Sequence, residues 1–126
     1  MQGLDNVGVA VRDLDRALAF YCDRLQMELS YRDDDSRSAG VNTGTAALYV
    51  FESKGPDGPR RTAEYVGNAT GVDHLSFAVD DVDAAYRELQ GRGVSFFMEP
   101  NDADWGARVC GCADPDGTPV YFLKWA

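Results

Sequence analysis

From Leu4 to Val11 apolar and small or polar positions alternate, so that Val7, Val9 and Val11 fall on one side of an extended chain and Asn6, Gly8 and Ala10 on the other. That pattern predicts a strand with one packed face. Beyond Asp13 the period changes: Leu14, Ala17, Leu18, Tyr21 and Leu25 recur at helical spacing, and Asp13 is a favoured cap for the free amides of a first turn. The second half repeats the succession. Leu75, Phe77 and Val79 alternate with His74, Ser76 and Ala78, and Asp81 then precedes a helical stripe of Val82, Ala85, Tyr86 and Leu89 closed by Gly91 and Gly93.

The repetition is literal. Leu4-Asp5-Asn6-Val7-Gly8-Val9-Ala10-Val11-Arg12-Asp13-Leu14-Asp15 aligns with Val72-Asp73-His74-Leu75-Ser76-Phe77-Ala78-Val79-Asp80-Asp81-Val82-Asp83, and the register holds without gaps through Ala17/Ala85 and Leu18/Tyr86. Three further strand-like segments follow each helix, over 27–34, 37–42 and 45–52, then over 94–100, 106–112 and 118–125. Asp114-Pro115-Asp116-Gly117 predicts a tight hairpin between the last two strands, and Asn42-Thr43-Gly44 its counterpart in the first copy. The expected fold class is α+β: tandem βαβββ modules over 1–53 and 72–126 forming one structural domain. The segment 54–71, with Gly55, Pro56, Gly58, Pro59 and Gly67 and little periodicity, reads as a linker with the composition of a mobile flap.

With 126 residues, 44% of them hydrophobic, the chain holds one domain's worth of core. The start lacks a basic leader with an apolar run, and no stretch approaches the roughly 18 apolar residues of a spanning helix, so a soluble, cytoplasmic protein is expected. The three cysteines agree: Cys22, Cys110 and Cys112 are odd in number and read as reduced thiols, the last two either as small buried strand residues or as a soft-metal pair. A formal charge of −9 excludes the basic footprint that nucleic acid requires and disfavours anionic membranes.

Paired βαβββ units, the first-strand wording with its Asp-Leu-Asp-Arg-Ala-Leu-Ala-Phe-Tyr continuation (Asp13 to Tyr21) and the Asp-Pro-Asp-Gly hairpin resemble the vicinal oxygen chelate superfamily. That group includes glyoxalase I, extradiol dioxygenases, methylmalonyl-CoA epimerase and bleomycin-resistance proteins. The resemblance implies curled sheets around a cleft and a homodimer. In its metal-dependent members, ligands come from the first and last strand of each half; here those positions read Asn6, Tyr49, His74 and Tyr121. One imidazole, one amide and two phenols make a poor set of donors, so no metal and no cofactor is expected. Glu52 lies three residues from Tyr49, about 10 Å along an extended strand. Trp105-Gly106-Ala107-Arg108 together with Asp114-Pro115-Asp116-Gly117 is similar to the ending of the metal-free, drug-sequestering branch.

Small Gly8, Ala10, Ser76 and Ala78 beside Tyr49, Tyr121 and Trp105 suit a planar organic ligand. The expected ligand-binding set is Asn6, Tyr49, His74, Trp105, Arg108 and Tyr121, with Asn6 and His74 as paired polar contacts. Two readings stand for Arg108, a ligand carboxylate or a strand-edge salt bridge, and two for the tyrosines, ligand walls or plugs of a vacated metal site. The expected function is non-catalytic sequestration of an aromatic small molecule, a natural-product antibiotic. The alternative is a lyase, isomerase or cyclase of the same fold that uses His74 as acid or base, or that carries an atypical metal site. No nucleophile with a recognisable base, phosphate loop or dinucleotide fingerprint is present in the sequence.

Overall fold

In the computed structural model, which describes residues 1–126, both predicted caps are made. The Asp13 carboxylate accepts from the Arg16 amide at 3.2 Å and that of Asp81 from the Ala84 amide at 3.0 Å. The helices so started are α1 (Leu14–Leu18) and α2 (Val82–Gly91). The strands of the first module are β1 (Asn6–Val11), β2 (Glu28–Asp33), β3 (Ser38–Asn42) and β4 (Ala47–Glu52). Those of the second are β5 (Leu75–Ala78), β6 (Phe96–Asp102), β7 (Ala107–Ala113) and β8 (Pro119–Trp125). The sheets have matching orders, β1-β4-β3-β2 and β5-β8-β7-β6, each with one parallel pair, β1 with β4 and β5 with β8. The fold is α+β, as the sequence predicts.

The chain forms two compact units, Met1–Gly58 and Pro59–Ala126. In the first, Val9, Val11, Ala39, Val41, Leu48 and Val50 are buried together with Leu14, Ala17, Leu18, Phe20 and Tyr21 of the helical segment. Alternation therefore puts the valines of β1 under the helix and leaves Asn6, Gly8 and Ala10 on the exposed side. The helix departs from expectation. After α1 it widens into a π-helical turn over Ala19–Arg24, with the Leu25 amide donating to the Phe20 carbonyl at 2.9 Å. Widening brings the adjacent rings of Phe20 and Tyr21 both inward, where they meet edge to face at 4.9 Å.

In the second unit α2 covers the sheet face that carries Phe96 and Phe122; Tyr86 meets Phe96 at 4.7 Å, and the buried Cys110 and Cys112 share this face by strand alternation. The hairpin forms as predicted. Asp114 accepts from the amides of Asp116 and Thr118, both at 2.9 Å, and Gly117 takes φ +85. The segment read as a linker divides: from Pro59 onward it belongs with the second unit, where Asn68 accepts from the Thr62 amide and donates to Asp73 at 2.7 Å. No helix is long and apolar enough to cross a membrane.

Candidate functional site

Pairing across the second sheet sets Ser76 opposite Tyr121 and Tyr121 opposite Gly111, all facing away from α2. Glycine at 111 leaves room for two rings, and Tyr121 and Phe97 close over it, edge to face at 5.7 Å. Tyr121 is the floor of this row, only 7% exposed, whereas Phe97 is 47% and Tyr65 54% exposed. His74 meets Tyr121 edge to face at 5.0 Å and lies 6.3 Å from Tyr65. Burial, with smaller contributions from Asp73 and Tyr65, pushes the Tyr121 phenol above its ordinary ionisation range, so it stays neutral and can donate.

Behind the row stands a polar relay. His74 Nδ1 lies 2.8 Å from Asp73 Oδ2; the other oxygen of Asp73 accepts from Asn68 Nδ2 at 2.7 Å and faces Arg61 Nη1 at 3.7 Å. Bonds from His74 and then Asn68 hold the Asp73 carboxyl below its usual range, so it is the ionised, accepting partner. Arg61 is itself fixed on the Ala69 carbonyl.

The first module repeats the arrangement within itself. Gly8 pairs with Tyr49, Tyr49 with Gly40 and Gly40 with Tyr31, whose ring lies directly over the glycine. Tyr49 stacks on Phe51 at 5.5 Å. Asn6 Nδ2 donates to Asp5 Oδ2 at 2.8 Å, the counterpart of the His74 to Asp73 contact. Register therefore makes Tyr49 and Tyr121 equivalent, each opposite a glycine.

Of the six residues singled out in the sequence, Tyr121 and His74 meet in the second module, and Asn6 and Tyr49 line one face of the first. Arg108 does not join them. It alternates onto the α2 side and grips Asp83 with Nε and Nη2 at 2.7 and 2.9 Å, while Nη1 reaches Asp102 at 3.1 Å, which is the salt-bridge alternative. Trp105 packs on Trp125 at 5.2 Å. Trp125 stands four residues along β8 from Tyr121, about 13 Å on strand geometry, so the indole pair is separate from the row. An open hollow at the start of α2, between Asp81, Asp102, Arg108 and Trp125, is likewise apart from it. Sequence reasoning missed Phe97, Tyr65, Phe51 and Tyr31. The available signal was Gly40 and Gly111 in mid-strand, a sign that something bulky crosses the backbone.

These donors do not fit the divalent ion of the metal-dependent relatives. The Asn6 amide is turned to Asp5 and burial opposes the phenolate that Tyr121 would need, which leaves His74, oriented by Asp73 through Nδ1, as a single imidazole donor. Glu52 is spent elsewhere: it accepts from the Leu14 amide at 3.0 Å and from Arg37 Nε at 3.1 Å. No three His, Cys, Asp or Glu side chains are grouped to hold a metal ion.

Comparison with known proteins agrees with the fold. A family model described as the Glyoxalase/Bleomycin resistance protein/Dioxygenase superfamily matches residues 3–122. The chain is 27% identical over 121 residues to the uncharacterized Bacillus subtilis protein YraH, covering 94% of each. It is 28% identical over 124 residues to the mitochondrial methylmalonyl-CoA epimerase of Mus musculus, covering 95% of this chain and 64% of the epimerase. The crystal structure of SMU.1112c superposes with a TM-score of 0.82 at 27% identity, over 98% of this chain and 99% of that one.

Proposed function

Because the chain belongs to the Glyoxalase/Bleomycin resistance protein/Dioxygenase superfamily, we propose a function that this fold can host: binding and sequestering a planar aromatic small molecule. A natural-product antibiotic is the ligand class and self-resistance the purpose. The observation that carries the reading is the row of open rings around Gly111. Phe97 and Tyr65 expose aromatic surface beside the buried Tyr121, where no internal packing requires it. The protein acts as a homodimer in the cytoplasm, without metal or cofactor; its acidic surface turns away nucleic acid and anionic membranes.

Calorimetric titration with planar aromatic antibiotics tests the reading. Phe97→Ala and Tyr121→Ala are each expected to weaken binding by about 1–3 kcal/mol, the range for an aromatic contact at the centre of an interface. Unchanged affinity in both would contradict the assignment.

One observation favours a second reading. The carboxylate–imidazole pair of Asp73 and His74 is the arrangement by which a general base is oriented, and it supports an isomerase, lyase or cyclase. Mass spectrometry of the recovered compound separates the two: an intact compound supports sequestration, and turnover that His74→Ala abolishes supports catalysis.

A further inference from the structure

The Asp73 to His74 contact fixes more than a ring orientation. An ionised carboxylate has no hydrogen to give, so the nitrogen 2.8 Å from Asp73 Oδ2 carries one, and the neutral imidazole is the Nδ1–H tautomer. Its Nε2 is then a bare lone pair. Asn68 at 2.7 Å and Arg61 at 3.7 Å occupy the other oxygen of Asp73, so the carboxylate cannot turn away and release the ring. The charged and titratable groups around the imidazole are Asp73, Arg61, Tyr65 and Tyr121, and the two tyrosines flank the ring at 6.3 and 5.0 Å. About a third of the His74 side chain stays exposed. The first module has the same polarity, because Asn6 gives its amide nitrogen to Asp5 and keeps its carbonyl oxygen as an acceptor.

Resting on the aromatic-binding reading above, we propose that the His74 site selects planar aromatic ligands that carry a hydroxyl or N–H donor on the ring, which bonds to Nε2 while the ring lies against Tyr65 and Phe97. A ligand offering only acceptors leaves Nε2 desolvated and unpaired, and that unmade bond is the source of the discrimination. Asp73 is a positioning residue: it touches no ligand and acts by choosing the tautomer.

The probes are 2-naphthol and 2-methoxynaphthalene, which share a ring system and differ in the donor, titrated at a pH of about 8.5, where an ordinary imidazole is neutral. The wild-type protein is expected to bind 2-naphthol roughly tenfold more tightly. In Asp73→Asn the amide can donate to Nδ1, which moves the hydrogen to Nε2, so the preference is expected to vanish or invert while 2-methoxynaphthalene still binds. His74 is the chain's single histidine, so a long-range 1H–15N spectrum reads its tautomer without assignment. Equal affinity for the two compounds in the wild type, or an Nε2–H tautomer, would overturn the proposal and leave aromatic binding standing. Binding of neither compound would overturn both.

Discussion

A methyl group at position 111 would sit 2.9 Å from Phe97 Cζ and from two ring carbons of Tyr121, closer than real Cβ atoms come. Tyr121 is buried and cannot swing aside, so Gly111→Ala is expected to cost about 1–3 kcal/mol of stability, as over-packing does, and to weaken aromatic binding. Denaturant titration and calorimetry on one preparation check both. The equivalent Gly40→Ala meets only the ring of Tyr31, which is 49% exposed and free to move, and a smaller loss is expected. Arg108 gives the opposite contrast. Its guanidinium ties β7 to Asp83 of α2, so Arg108→Ala should lower the melting temperature and leave ligand affinity where it was. Lost affinity there would return Arg108 to the binding set.

At the scale of elements, the buried strand β7 holds Cys110 and Cys112, whose thiols burial pushes up to about 11 and about 12. They should resist thiol reagents until the protein unfolds, while the half-buried Cys22 reacts first; equal reactivity of all three would show β7 open. Loss of the Asp81 cap in Asp81→Ala is expected to cost about 1 kcal/mol, measured by thermal denaturation. The caps, the strand faces and the Asp114 hairpin were legible in the sequence because each depends on local chemistry, an alternation or a turn residue. The π-helical turn was not, since a stripe at helical spacing does not reveal that both Phe20 and Tyr21 find space inside. Nor was the folding of 59–71 onto Asp73, which rests on Asn68 side-chain bonds that composition conceals. For the site, Tyr49 and Tyr121 were legible through the family resemblance, as last-strand positions of the two halves, because the gap-free repeat extends only through Leu18/Tyr86; Phe97 and Tyr65 come from segments without a repeated signature.

For the whole molecule, paired carboxylates set the acid limit. Asp73, Asp83, Glu52 and Asp15 all titrate below their ordinary values, each drawn down by hydrogen bonds it accepts. Depressed folded-state values stabilise the fold fully above the unfolded carboxylate range of about 4, and that contribution is lost as pH falls through the lower folded values. The raised thiols act at the other end: unfolding releases their protons more readily, so stability should decline above a pH of about 8.5. A melting-temperature profile against pH should therefore fall at both ends of a plateau. The mismatch between the family's metal positions and Asn6, Tyr49, His74 and Tyr121 belongs to this scale too, and exhaustive chelation is expected to leave aromatic binding intact. The most direct test of the account is a proton NMR titration with 2-naphthol that follows the imidazole signals of the single histidine. A saturable ring-current shift of His74, whose midpoint moves to roughly tenfold or more higher ligand in Phe97→Ala, is the predicted result; His74 signals that stay fixed while the ligand saturates would place binding elsewhere and contradict it.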